Sequence, residues 1–211
     1  MRHRIFIAIN LPEEIKKKLA DYQDKIEELF TPYRTEGSGA GPCRWTKKEN
    51  LHITLAFLGY LSDEELLEVI NLTKEAVSKN HSFSINLKKI IYGPPYQSKH
   101  GTGQAPKKPP RMVWTEGEKS EELGKLQRDL ENSLSGSSPG LENEEGRGYT
   151  PHITLGRLKQ WEFRQVEPEE RPEINEEINL SFEVNSIEVM ESELKRVGPD
   201  YTILESCPLK S

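Results

Sequence analysis

One tetrapeptide occurs twice in this chain, and the repeat limits the possible fold more strongly than any other feature. Residues 52–55 and residues 152–155 both read HITL. The chain contains five histidines, so a second identical copy arises by chance on the order of one time in a thousand. The repeat therefore indicates an internal duplication in which each half of the chain supplies one copy.

The alternation of side chains along a β-strand decides what each copy presents. His52 and Thr54 fall on one face of such a strand, and the apolar residues beside them fall on the other. His152 and Thr154 repeat this arrangement. If a pseudo-two-fold axis relates the two halves, two imidazoles and two hydroxyls face one another across a cleft.

Apolar runs separated by turn and capping signals predict a mixed order of strands and helices. This order lacks a regular βαβ rhythm, which is typical of an α+β fold with mainly antiparallel sheets. The length suits a single two-lobed domain over residues 1–211. The predicted strands are 4–10, a short one from 44, 51–58 (ended by Gly59), 83–91, 111–115, 151–158, 178–190 and 201–204; the predicted helices are 11–30, 62–78 and 119–134, with a short helix within the acidic segment 162–178; loops cover 35–42, 93–110 and 135–148.

The charge of the chain narrows the class of ligand. The net charge is −6 and 30% of the residues are charged. A protein that coats long nucleic acid usually carries a basic face. The sequence therefore favours a small anionic target, such as a single phosphate at a strand end, over a long duplex.

The two cysteines and the hydropathy of the chain bear on its redox state and its cellular compartment. Cys43 and Cys207 form neither a CxxC pair nor a metal-binding spacing. A disulfide between them is one alternative, and a reduced chain is the simpler interpretation. The first apolar stretch, residues 5–11, is too short for a signal peptide or a membrane span. We expect a cytoplasmic protein that enters no membrane.

Paired imidazoles and hydroxyls suit acid–base chemistry at phosphorus. Imidazole titrates near pH 6.5, so a neutral ring that accepts a proton and a charged ring that donates one can coexist near neutrality. Threonine hydroxyls can donate to phosphoryl oxygens as negative charge builds on them. The sequence lacks an HExxH motif or a three-ligand zinc pattern. We therefore expect no metal and no cofactor.

The alternative for either motif alone is purely structural. A histidine hydrogen-bonded on a buried strand, beside a threonine that favours strands, needs no catalytic role. The second identical copy is what favours function over this alternative.

Beyond the motifs, the chain resembles the two-histidine phosphoesterases, and within them the RNA 2′,3′-cyclic phosphodiesterases, also called 2′-5′ RNA ligases. That family is defined by paired His-x-Thr-x motifs, and the likeness runs nearly end to end. The segments that carry it, in order, are RIFIAINLPEEI, RWTKKENLHITLAFLG, RMVWTEG, YTPHITLGRL and ESELKRVGPDYTIL.

The resemblance implies a bilobal α+β fold with a pseudo-two-fold axis, helices on the outside and the two motifs in a cleft between the sheets. It implies hydrolysis of an RNA 2′,3′-cyclic phosphate to a 2′-phosphate. By similarity, His52 is the proton donor and His152 the proton acceptor. The resemblance also favours Arg157 as a clamp on the phosphate. The alternative is a plain surface arginine, and simple strand alternation places Arg157 on the face opposite Thr154 unless the strand twists or bulges.

Several further residues have a functional and a structural interpretation. Arg111 and the pair Lys107 and Lys108 either line the cleft and contact the RNA backbone or belong to a solvated loop. Tyr149 and Trp45 either stack on a base or pack in the core. We expect the three remaining histidines to be surface residues; they are His3, His81 and His100.

Two rival functions remain open from the sequence. The first is capture of a phosphorylated RNA end without turnover, although binding alone needs no matched acid and base. The second is a different reaction in the same cleft, either 2′-5′ ligation or the opening of another cyclic nucleotide. The expected partners are RNA with a 2′,3′-cyclic phosphate end or small cyclic nucleotides, and the acidic surface favours a monomer.

Overall fold

The computed structural model describes residues 1–33, 41–94, 109–135, 149–196 and 198–211. The predicted α+β class with mainly antiparallel strands is confirmed. The strands are β1 (His3–Asn10), β2 (Cys43–Trp45), β3 (His52–Leu61), β4 (Phe83–Gly93), β5 (Met112–Gly117), β6 (His152–Leu158), β7 (Asn175–Val184), β8 (Ser186–Lys195) and β9 (Gly198–Pro208); the α-helices are α1 (Glu13–Leu29), α2 (Asp63–Val77), α3 (Glu121–Leu134) and α4 (Gln160–Arg164); short 3₁₀ turns cover Thr31–Tyr33 and Lys48–Asn50.

The strands of the described chain form one sheet in the order β7-β4-β5-β6-β3-β1-β8-β9, with β2 added alongside β6. Its two halves, β3-β1-β8-β9 and β6-β5-β4-β7, meet where β3 pairs with β6. The paired residues at this junction are Ile53 and Ile153, which are equivalent members of the repeat. Equivalent residues face each other only on a two-fold axis, so the duplication is visible in the strand register.

The sheet is strongly curled, and one residue shows why. Asn185 alone links β7 to β8, although five strands lie between them in the sheet order. In a flat sheet these strands lie roughly 30 Å apart, whereas one linking residue spans at most about 7 Å. The two halves must therefore bend toward each other until β7 and β8 meet.

This link also corrects the prediction of one strand over 178–190. Val184 closes β7 against β4 in one half, and Ser186 opens β8 against β9 in the other. Both strands are rich in alternating apolar residues, so their periodicity alone gave no sign of the break at Asn185. Three smaller boundaries also differ: β3 continues past Gly59, which adopts a φ of 77°, β7 already begins at Asn175, and β9 extends from Gly198 to Pro208.

The main core lies on the face of the sheet opposite the motif histidines. Ile53 and Ile153 are fully buried there, together with the apolar faces of the longer helices. Helix α2 begins with a capping box, in which Ser62 and Glu65 each bond the other's backbone amide. No helix in the described ranges combines the length and apolar character that a bilayer span requires.

Candidate active site

His52 is the first residue of β3, and the preceding turn fixes its ring. Its Nδ1 lies 2.7 Å from the carbonyl oxygen of Asn50 and donates to it, because a carbonyl can only accept. Asn50 is itself buried and donates from Nδ2 to the carbonyl of Pro199 at 2.8 Å. These two bonds hold His52 Nε2 at 2.9 Å from the hydroxyl of Thr54. Nδ1 is therefore occupied, and Nε2 is the ring nitrogen that faces the Thr54 hydroxyl.

His152 is the first residue of β6 and is held in the same way. Its Nδ1 donates to the carbonyl of Thr150 at 3.1 Å, two residues upstream, as in the first motif. The Trp114 ring packs against this imidazole with 4.3 Å between centroids. The duplicated sequence therefore builds a duplicated ring orientation, with Nε2 as the nitrogen left for chemistry.

A cavity of about 440 Å³ brings the two motifs together. His52, Thr54, His152 and Thr154 all line it, as the strand alternation predicted. Arg157 lines it as well. The other lining residues are Arg4, Phe6, Arg44, Trp45, Thr46, Lys47, Asn50, Phe57, Ser192, Leu194, Gly198, Pro199 and Tyr201.

The surroundings lower the pKa of both imidazoles. Burial is the main reason that the pKa of His52 falls, and the positive charges of Lys16 and Arg157 add to it, against the Asn50 hydrogen bond. Burial also lowers the pKa of His152, but there the Thr150 carbonyl and the negative charge of Glu116 oppose it. A proton that enters the cleft is therefore favoured on His152 over His52 by the nearby charges.

A β-bulge at Leu155 turns Arg157 toward the histidines. Trp114 pairs with Thr154, but the next residue of β5, Val113, pairs with Gly156, so Leu155 is left out of the ladder. The extra residue reverses the alternation beyond it. Arg157 consequently shares a face with Thr154. The strand bulges, which is the condition under which the sequence allowed this placement.

The bulged residue keeps its polar groups bonded through helix α1. The carbonyl of Leu155 accepts from the buried Gln23 Nε2 at 2.7 Å and from the Thr46 amide at 2.8 Å. Gln23 also donates to the Thr46 carbonyl at 2.8 Å. A Cβ at Gly156 would lie 2.5 Å from Cys43 Sγ, so only glycine allows β2 to pack this closely.

We expect Gln23→Met to lower the free energy of unfolding by about 1–3 kcal/mol, because it removes two buried hydrogen bonds, one to the Leu155 carbonyl and one to the Thr46 carbonyl. Chemical denaturation measures the change. The exposed Gln165 provides the matched control, and Gln165→Met should stay within about 0.5 kcal/mol of the parent. Equal stability of the two variants would show that Gln23 does not hold the bulge.

The first motif carries the same bulge with a different side chain. Ala8 pairs with Thr54 and Ile7 pairs with Ala56, so Leu55 is bypassed. Phe57 therefore occupies the position that corresponds to Arg157. The two histidine–threonine pairs are thus flanked by an aromatic ring on one side and a guanidinium on the other.

The remaining predicted contacts fall in different places. Tyr149 does not line the cavity; its hydroxyl donates to the Thr54 carbonyl at 2.6 Å, and burial raises its pKa. Arg111 is exposed and also lies outside the cavity lining. Lys107 and Lys108 lie outside the described residues. Trp45 lines the cavity and also packs edge-on against Phe30, so its position is compatible with either interpretation.

Two of the other histidines are described. His3 is not a bare surface residue, since its ring nitrogens lie 2.7 Å from a Glu191 oxygen and 2.8 Å from an Asp63 oxygen. Those bonds raise its pKa. His81 is exposed near the Ser211 carbonyl, as expected, and His100 lies outside the described residues. Cys43 and Cys207 are both buried and unpaired.

Sequence reasoning missed several residues that build the site. Lys16, buried on α1, donates to the Glu49 carbonyl at 3.1 Å just before the first motif, and Asn50 and Gln23 act through backbone carbonyls. Nothing in the local sequence marks such contacts. Phe57 was detectable, because aligning HITLAFL with HITLGRL places it opposite Arg157.

Known proteins of one family are similar in sequence to this chain along most of its length. The sequence model of the 2′-5′ RNA ligase superfamily matches residues 22–196. The RNA 2′,3′-cyclic phosphodiesterase of Thermotoga maritima is 29% identical over 97% of this chain and 94% of its own. The protein of the same name from Archaeoglobus fulgidus is 30% identical over 94% of this chain and 96% of its own.

Solved structures share the fold. TT0787 of Thermus thermophilus superimposes with a TM-score of 0.73 at 26% identity, covering 99% of this chain and 98% of that one. Escherichia coli LigT, complexed with 3′-AMP, gives a TM-score of 0.72 at 23% identity, with both chains fully covered (100% each).

Proposed function

The chain belongs to the 2′-5′ RNA ligase superfamily, and from that premise we propose that it hydrolyses RNA 2′,3′-cyclic phosphate ends to 2′-phosphomonoesters. The observation that carries this proposal is the pair of oriented imidazoles, each with a threonine two residues on, lining one cavity. Relatives named for this activity align along nearly the whole chain.

The proposed step is an in-line displacement at phosphorus. The neutral imidazole accepts a proton from water, whose oxygen forms the new bond to phosphorus. The bond from phosphorus to the 3′ oxygen breaks, and the protonated imidazole donates to that oxygen, so the phosphate stays on the 2′ oxygen. Thr54, Thr154 and Arg157 donate to the phosphoryl oxygens as charge builds on them.

The assignment of donor and acceptor has two sources of support that disagree. The resemblance gives His52 the donor role and His152 the acceptor role. The charges next to the rings favour a protonated His152 in the free protein. We retain the first assignment as the hypothesis to test, because the two protonation states of a coupled pair interconvert and substrate charge redistributes the proton.

We further propose that the reaction needs no metal ion. The described residues that line the cavity include no Asp and no Glu, and carboxylates are the protein ligands that Mg²⁺ prefers. The test is hydrolysis of a nucleoside 2′,3′-cyclic phosphate in excess chelator, with the product resolved as a 2′- or 3′-phosphate. Loss of activity on chelation, or a 3′-phosphate product, contradicts the proposal.

The lowered imidazole pKa values predict an acidic optimum. Turnover requires one neutral and one protonated ring, so kcat/KM peaks between the two pKa values, and both lie below the ordinary 6.5. Above them the donor loses its proton, and below them the acceptor gains one. The cyclic phosphate keeps a single charge throughout this range. We therefore expect a bell-shaped profile with its maximum below pH 6.5; a maximum at or above pH 7.5 contradicts the origin given for the shifts.

A further inference from the structure

The face of the sheet that carries His52 continues away from the cavity as a strip of exposed apolar side chains. Beyond Thr54 this face of β3 presents Phe57 and Tyr60, which are 56% and 59% exposed. Arg4 on β1 is paired with Tyr60 and lies on the same face. We call Phe57, Tyr60 and Arg4 the outer strip.

The outer strip packs on a small buried cluster of apolar side chains. Phe6, Ala8 and Met190 form a small buried cluster on this face, separate from the main core, and Tyr201 packs against it. The Phe6 and Phe57 rings lie 5.9 Å apart between centroids. Phe57 is therefore held from below while much of its ring faces solvent, which suits a stacking platform better than a core position.

Arg4 supplies positive charge on the same strip. Its guanidinium donates to the hydroxyl of Ser192 at 2.9 Å, and a neutral hydroxyl does not cancel its charge. Arg4 and Phe57 also line the catalytic cavity. The strip is thus continuous with the place where the terminal phosphate reacts.

The other half of the sheet does not repeat the outer strip, because Arg157 and Gln160 stand at the positions that correspond to Phe57 and Tyr60. Glu116 pairs there with His152, and Lys89 lies between Glu116 and Glu177 in the strand register. At this end of the strands, away from Arg157, two carboxylates surround one ammonium, so this part of the face does not attract phosphates. Trp114, the large aromatic of that face, is only 7% exposed and covers His152.

We propose that the RNA strand leaves the catalytic cleft over the outer strip, with its last bases stacked on Phe57 and Tyr60 and a backbone phosphate on Arg4. Aromatic faces stack on every base, so this surface selects single-stranded RNA ends over mononucleotides without reading sequence. The inference rests on the proposed function and adds to it the direction of the strand and a preference for substrates longer than one nucleotide.

The test compares two substrates in each variant: a five-nucleotide RNA with a 2′,3′-cyclic phosphate end, and a mononucleoside 2′,3′-cyclic phosphate. We expect Tyr60→Ala to lower the ratio of their kcat/KM values about tenfold, since stacking contributes at this scale for each base. Tyr60→Phe should keep the ratio of the parent protein, because the ring stacks and the hydroxyl does not. Trp161→Ala is the matched control, as Trp161 is 78% exposed on α4.

A salt titration tests Arg4 separately. We expect Arg4→Gln to reduce the slope of log kcat/KM against log salt by about 0.7 for the five-nucleotide RNA, the value for one phosphate contact on a single strand. An unchanged ratio in Tyr60→Ala, or an equal fall in Trp161→Ala, overturns the proposed path.

Binding separates this inference from the proposed function. Fluorescence anisotropy with a labelled five-nucleotide RNA ending in a 2′-phosphate needs no turnover. If no cyclic phosphate is hydrolysed, the proposed function fails, and the path still stands when Tyr60→Ala weakens binding about tenfold and Tyr60→Phe does not. If binding is unaffected by Tyr60→Ala, the path is excluded whatever the activity.

Discussion

His52→Ala and His152→Ala should each lower kcat/KM for a 2′,3′-cyclic phosphate by about 10²–10⁴-fold, the usual contribution of one general acid or base. The two rings act in a single step, so the double variant should lose little more than the worse single variant. Hydrolysis followed by separation of the nucleotide products measures the effect.

His81→Ala provides the control, because that imidazole is exposed and lies outside the cavity. It should leave kcat/KM within about twofold of the parent. Circular dichroism should show that both single variants are folded at the assay temperature, because each ring lies at the wall of the cavity. Full activity in either variant excludes that ring from proton transfer.

An activated substrate identifies which ring donates. A phosphodiester with a 4-nitrophenolate leaving group needs no protonation of that group, so the variant that lacks the donor should regain much of its rate on it. If His52 is the donor, His52→Ala regains rate and His152→Ala does not. The opposite result supports the assignment that Glu116, near His152, and Lys16, near His52, favour.

Local periodicity predicted the most about this site. Strand alternation in HITL places His52 with Thr54 and His152 with Thr154, and the structure brings both pairs to one cavity. The duplication predicted a two-fold relation between the halves, which the pairing of Ile53 with Ile153 displays. These features depend only on residues adjacent in sequence and on symmetry.

What the sequence did not predict depends on distant contacts. The bulge at Leu155 exists only with a partner strand, and its carbonyl accepts from the Thr46 amide and from Gln23, which lies on a helix more than a hundred residues away. The break at Asn185 follows from the curl of the whole sheet. Neither leaves a local pattern, which is why the orientation of Arg157 and the boundary of β8 needed the structure.

Replacing Arg157 is the second substitution with a large expected effect. We expect Arg157→Met to lower kcat by about 10²–10³-fold, as removal of one donor to a developing oxyanion does elsewhere. Arg157→Lys should restore little, because an ammonium cannot reproduce two parallel hydrogen bonds to a phosphate. Steady-state kinetics at saturating substrate separate kcat from KM.

The matched control is Arg164→Met, since Arg164 is exposed on α4 and does not line the cavity. A rise in KM alone for Arg157→Met would show that the guanidinium binds the ground state and the transition state equally. Full recovery in Arg157→Lys would reduce its role to that of a point charge. A fall in kcat without recovery means that the bulge at Leu155 has a catalytic purpose: it is the one extra residue that turns a guanidinium, in place of the symmetry-related Phe57, toward the phosphate.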